Sequence, residues 1–218
     1  MNFKTLAIAT VAATAGILGG YYFNTLSTPK TLIPPHIQGA ILPHAKILSN
    51  FNLIDQNGKP FTPQRLKNHW SIVFAGYTHC PDVCPNTLSV LAQMVKLMKE
   101  QNIKPPQVFF LSVDPARDTP ELLSQFVTYF DKDFVGVTGD SKMLTAVATQ
   151  LSVVFKKAPG MSGDINKPDY LIDHSASLEL INPDGRLQAF LTAPHTPMKL
   201  IDSIIHARVF YTESHKGK

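Results

Sequence analysis

Apolar positions fall along this chain in three rhythms. The first is the continuous run. Trp70-Ser71-Ile72-Val73-Phe74-Ala75-Gly76-Tyr77 and Val108-Phe109-Phe110-Leu111-Ser112-Val113 are apolar, β-branched and aromatic almost throughout. Strands buried on both faces read this way. The second rhythm is helical. From Pro85 to about Glu100, Leu88, Leu91, Val95 and Met98 recur on one face. Proline suits a first helical position because its missing N–H would have no partner there. Asp118-Thr119-Pro120-Glu121 predicts a second helix start, with Asp118 as cap and Glu121 three residues on, before Leu122, Leu123, Phe126 and Phe130. Ser141 to about Leu151 and Met198 to about Tyr211 predict two further helices, and Phe134 to Val137 a short strand.

The third rhythm is alternation around turns. Leu178-Glu179-Leu180-Ile181 and Leu187-Gln188-Ala189-Phe190 flank Asn182-Pro183-Asp184-Gly185-Arg186, which predicts an antiparallel hairpin. Asn57-Gly58 marks another hairpin turn after Phe51, Leu53 and Ile54, and Gly160 to Lys167 reads as an exposed polar loop. The order β-α-β-α, then β-hairpin and α, describes an α/β domain with a mixed central sheet flanked by helices. The thioredoxin-like fold is the small architecture that matches.

Ahead of this domain the pattern changes. After Lys4, an uncharged run from Thr5 to Thr25 ends in Tyr21, Tyr22 and Phe23. A bilayer-crossing helix needs about 20 predominantly apolar residues, and aromatic residues belong at the membrane interface. The segment 1–26 is expected to be an N-terminal membrane anchor, with a cleaved signal peptide or a buried core helix as the competing readings. Either of the first two exports the domain. For the anchor this means an inner-membrane, single-pass protein whose soluble domain faces the periplasm or an equivalent compartment. Pro29, Pro34, Pro35 and Pro43 make 27–46 read as a semi-stiff linker. The domain is then expected over 47–214, with a short basic tail at 215–218.

Composition adds little beyond this. The chain has 218 residues, 44% hydrophobic and 17% charged, which suits one globular domain. The net charge of +4 comes from scattered Lys and Arg, so no nucleic-acid footprint is present.

The candidate chemistry lies in Cys80-Pro81-Asp82-Val83-Cys84, which holds the only two cysteines of the chain. The pair falls between a buried strand and a helix start, where backbone N–H groups and the helix dipole stabilise thiolates. Thioredoxin-type redox centres place two residues between their cysteines; here there are three. The wider loop leaves room for an ion between the sulfurs. Two thiolates suit linear Cu(I), and an added imidazole gives a trigonal site. A structural disulfide closing so short a loop would gain little chain entropy, buried core thiols are the other bland reading, and no second cysteine pair supports a zinc ribbon. For a third ligand the histidines compete. His79 adjoins Cys80 but points away if strand alternation continues. His174 comes after Tyr170-Leu171-Ile172-Asp173 at a strand entry. His195 and His206 remain, as do the peripheral His36, His44, His69 and His215.

Three motifs in order narrow this choice. Gly76-Tyr77-Thr78-His79-Cys80-Pro81-Asp82-Val83-Cys84-Pro85, Val113-Asp114-Pro115-Ala116-Arg117-Asp118-Thr119-Pro120, and Asp173-His174-Ser175 with Pro183-Asp184-Gly185 together resemble the Sco/SenC family. The resemblance runs from about Ile47 to Tyr211. It implies a thioredoxin fold that binds copper through Cys80, Cys84 and His174, as Cu(I) and in a second state Cu(II). It also implies a part in assembling the Cu-A centre of cytochrome c oxidase subunit II, or of another cuproprotein, with an upstream copper donor or thiol reductant. Asp82 and Asp173 stand beside ligands, where they would tune the site or serve turns and solvent. Asp114 and Arg117 read as a structural pair, and Met161 as a loop methionine more than an auxiliary ligand. The rival activity is thiol–disulfide exchange, with Cys80 attacking and Cys84 resolving; a copper- or redox-sensing module is the third reading.

Overall fold

The computed structural model describes residues 13–22 and 34–216, in two units that divide after Ile33. In the first unit, residues 13–22 are helical with exposed side chains. The rest of the expected anchor, 1–12 and 23–26, lies outside the described residues. Among the described residues no helix is long and apolar enough to cross a membrane. The expected anchor is therefore not found as a spanning helix among the described residues.

The strands of the second unit are β1 (Gly39–Lys46), β2 (Leu53–Asp55), β3 (Pro60–Phe61), β4 (Ser71–Gly76), β5 (Gln107–Ser112), β6 (Val135–Thr138), β7 (Phe155–Ala158), β8 (Leu171–His174), β9 (Leu178–Ile181) and β10 (Leu187–Leu191). Eight of them build one mixed sheet in the order β1-β10-β9-β4-β5-β6-β2-β3. β4, β5 and β6 run parallel, and β9 joins β4 antiparallel. Both apolar runs become the central strands, and every residue of β4 is buried. β2 and β3 form the hairpin expected at Asn57-Gly58, with Gly58 at φ +72°. β9 and β10 form the second hairpin.

Helices α1 (Val83–Glu100), α2 (Pro120–Phe130), α3 (Ser141–Gln150) and α4 (Pro197–His215) flank the sheet. α1 packs against α4 and α2, and α2 against β6. Leu88, Leu91, Met94 and Met98 of α1 are fully buried, as are Phe74 and Phe110 of the sheet. Burying such a side chain is worth roughly 1.5–3 kcal/mol, so this layer anchors the helix that carries the second cysteine.

Several boundaries differ from the sequence expectation. The expected linker 27–46 contains β1, which pairs with β10 through Gly39, Ala40 and Ile41. Prolines are no bar to this, because an edge strand tolerates them: Pro34 and Pro35 precede the strand, and Pro43 falls where the register shifts between Ile41 and Lys46. α1 begins at Val83, not Pro85, because none of the first four N–H groups of a helix has an intrahelical partner and proline fits anywhere in that turn. α2 is capped by Thr119, whose Oγ1 accepts from the Leu122 N–H at 3.3 Å; Asp118 is turned inward. α4 includes His215, so the helix extends into the expected tail, while Gly217 and Lys218 lie outside the described residues. β7 and β8 form a separate ribbon that stands apart from the main sheet. Sequence alternation does not reveal it, because β7 carries Lys156 and Lys157 side by side, both exposed, and none of its residues is buried.

Candidate metal centre

β4 ends at Gly76, and the chain turns through Tyr77 to Asp82 before α1 begins. The turn is held from below. The Asp118 carboxylate accepts from Thr78 Oγ1 at 2.6 Å, from the Thr78 backbone N–H at 3.2 Å and from Ser112 Oγ at 2.7 Å. Burial pushes the Asp118 carboxyl above its usual range, opposed by the Ser112 and Thr78 hydrogen bonds. The Cys80 N–H donates back to Tyr77 O at 3.2 Å.

Cys84 lies in the first turn of α1 and is fully buried, whereas Cys80 is half-exposed. Both are free thiols, and the Cys84 backbone N–H donates to Cys80 Sγ at 3.4 Å. A hydrogen bond from the Cys84 side chain is the main cause holding the Cys80 thiol well below its ordinary value. The same bond, together with burial, pushes Cys84 up. The shifts run in opposite directions, down for the half-exposed sulfur and up for the buried one.

His174 ends β8 and brings Nε2 to 3.5 Å from Cys84 Sγ. Its Nδ1 stands 3.0 Å from Ser175 O. A carbonyl only accepts, so Nδ1 bears the hydrogen and Nε2 presents its lone pair to the sulfurs. The ring is packed edge-on by Phe74 and Tyr77, each 6.1 Å away between centroids. The donor atoms of Cys80, Cys84 and His174 all lie within 4.8 Å of one another. Two sulfurs and a neutral imidazole form a soft donor set suited to Cu(I).

His79 is exposed, bonds to Thr78 Oγ1 at 3.0 Å, and stays outside this group. His195 donates Nε2–H to Ala176 O at 2.8 Å, and His206 faces Asp202 on α4. His36, His44, His69 and His215 are also outside the cluster. Asp82 precedes α1 and accepts from the Asn86 amide. Asp173 is exposed, 4.0 Å from Lys156 Nζ across the ribbon. Met161 is fully exposed on its loop. Asp114 and Arg117 do form a pair, at 2.5 Å.

A family model described as SCO1/SenC matches residues 40–208. The chain belongs to this family. Relatives include the SCO2-like protein RT0576 of Rickettsia typhi, 32% identical over 183 residues, or 84% of this chain and 87% of that one. Among solved structures, Arabidopsis thaliana ScoI with copper bound superimposes with a TM-score of 0.68 at 32% identity, covering 74% of this chain and 97% of that one. Bradyrhizobium japonicum ScoI with copper bound gives 0.62 at 35% identity, covering 72% and 98%. The mixed sheet with flanking helices is thus the thioredoxin-like architecture of the family.

Two residues that shape the site escape sequence reasoning. Asp118 carries a good capping signal, which conceals its role beneath the cysteine turn. Tyr170 opens the short run Tyr170-Leu171-Ile172 at a strand entry, and nothing local marks the bond of its hydroxyl to Asp114.

Proposed function

We propose that the chain is a copper carrier that holds one copper ion through Cys80, Cys84 and His174. The carrying observation is that these three donors converge within 4.8 Å, although Cys84 and His174 stand 90 residues apart in the chain. Copper is the cargo and is passed on by ligand exchange, since Cys80 is accessible to an incoming thiolate while Cys84 is shielded. The acceptor that best suits the family is the Cu-A site of cytochrome c oxidase subunit II, whose thiols the carrier loads or prepares. A second cuproprotein as acceptor, and an upstream copper donor or thiol reductant, complete the scheme. Segment 1–26 tethers the domain to the inner membrane with its sulfurs on the exported side; Lys4 and the apolar run after it support this reading.

The test is Cu(I) competition against a chelator for wild type, Cys80→Ala, Cys84→Ala and His174→Ala. Each variant is expected to lose affinity, because the ligands act as one set. Unchanged affinity in His174→Ala would remove the imidazole from the site. Protease accessibility in spheroplasts checks the tether, with degradation of the domain expected only from outside.

One observation favours a second reading, thiol–disulfide exchange. A half-exposed Cys80 with its thiol pushed down, beside a buried Cys84 pushed up, is the arrangement of an attacking and a resolving sulfur. Turnover on an oxidised peptide without copper would select it over carriage.

A further inference from the structure

His174 rides on a ribbon that shares no hydrogen-bonded strand pairing with the main sheet. The ties at its far end are internal: Ser175 N–H donates to Val154 O at 2.9 Å, and Val154 N–H donates to Ser175 Oγ at 3.0 Å. Tyr77, bonded to the Ile172 backbone and packed with Phe74 on the His174 ring, ties β8 to the body of the domain, and a set of side chains just ahead of β8 adds a second tie. Tyr170 is buried, and its hydroxyl donates to Asp114 Oδ1 at 2.6 Å. Arg117 Nη1 donates to Pro168 O and to Tyr170 O, each at 2.9 Å. The guanidinium also lies over the Tyr170 ring, 3.6 Å from its centroid, and its Nε is fixed by Asp114 Oδ2. A planar cation with several fixed donors holds two carbonyls and a ring in one geometry, which a lysine does not.

The same short turn does a second job. Asp118, one residue after Arg117, grips Thr78 beneath the sulfur loop. Residues 114–118 therefore hold the sulfur side and the imidazole side of the cluster at once. The Tyr77 ring stands between them, 5.7 Å from the Arg117 guanidinium and edge-on to His174.

We propose that Asp114 and Arg117 are positioning residues for His174: by clamping Pro168 and Tyr170 at the base of β8 they set the approach of the imidazole to the sulfur pair. This rests on the reading of Cys80, Cys84 and His174 as a metal centre. Neither residue touches the ligands. Their effect passes through the short strand β8.

The experiment uses Tyr170→Phe and Arg117→Lys in the full chain, each alone and combined with His174→Ala. Tyr170→Phe keeps the ring and removes one hydroxyl, so it remains informative if Arg117→Lys fails to fold. Loss of an outer partner of a ligand typically lowers metal affinity 10–100-fold; about a tenfold loss of Cu(I) affinity is expected for each variant when His174 is present. With His174→Ala the same changes are expected to alter affinity less than about twofold, since the ligand they act through is gone. Equal losses in both backgrounds, or no loss in either, would overturn the proposal. A second readout needs no metal. Amide hydrogen exchange over residues 172–175 is expected to accelerate in the copper-free variants while Leu88 to Met94 of α1 stays protected. Unchanged exchange at 172–175 overturns the clamp. If the wild type binds no Cu(I), the carrier reading fails, and the exchange data still decide the clamp.

Discussion

A Cβ on Gly76 would stand 2.8 Å from Cys84 Sγ and 2.6 Å from Cε2 of Phe110. The last residue of β4 is bare so that the buried sulfur and an aromatic ring close over it. Gly76→Ala forces one of them to move. Overpacking of this kind costs about 1–3 kcal/mol. The variant is expected to lose that much stability in urea denaturation and to bind Cu(I) more weakly in chelator competition. Native affinity in the alanine variant would show that Cys84 needs no such clearance.

The two sulfurs are expected to react in a fixed order. Cys80 is half-exposed and its thiol is pushed down, whereas Cys84 is buried and pushed up. The thiolate is the nucleophile, so iodoacetamide under mildly acidic, native conditions labels Cys80 first and leaves Cys84 until urea is added. Peptide mass spectrometry reads the order directly, and first labelling at Cys84 would contradict the assignment.

Glu179 of β9 is expected to make the stability of the domain depend on pH. Its carboxyl is fully buried, Ser177 Oγ donates to Oε1 at 2.6 Å, and Oε2 has no hydrogen-bond partner. Burial raises its pKa from 4.5 to about 8, against the opposing Ser177 hydrogen bond. Between those values the folded chain keeps a proton that the unfolded chain has lost. The contribution is fully present below 4.5 and is lost as pH rises through about 8, with a slope of at most about 1.4 kcal/mol per pH unit. Urea midpoints are expected to fall across this window in wild type and to stay flatter in Glu179→Gln. Parallel slopes would exclude Glu179 as the source.

Removing β1 is expected to damage a fold that the sequence pattern starts later. A chain beginning at Ile47 loses the pairing of Gly39, Ala40 and Ile41 with β10 and the Gln188 side-chain bond to Leu42 O at 3.0 Å. It also bares the edge of β10, and an unpaired apolar edge recruits other strands. Size-exclusion chromatography and urea denaturation are expected to show aggregation or a lowered midpoint, compared with a chain beginning at Pro34. Identical behaviour of the two would return 34–46 to the role of a linker.

The contrast between β1 and β4 shows what was legible. β4 announces itself because a strand buried on both faces must be apolar at nearly every position. β1 is an edge strand with Pro43 at a register shift, so its backbone pairing leaves no comparable mark in side-chain pattern. β7 and β8 are shorter still and half in solvent. Asp118 illustrates a different failure. Its sequence context is a correct helix start, and Thr119 supplies the cap, which frees the aspartate to turn under Thr78.

The chain alone determined the sulfur pair at a strand-to-helix turn, the central strands and the order of helices, because each depends on residues within a few positions of one another. Local pattern left the eight histidines open; the family motifs implied His174, and only the tertiary structure shows its ring brought to those sulfurs. The ribbon carrying His174 is held against the cysteine turn by Asp114, Arg117 and Tyr170, contacts that span more than 50 residues and leave no local pattern. Periodicity records which face of an element is buried; it does not record what that face is buried against.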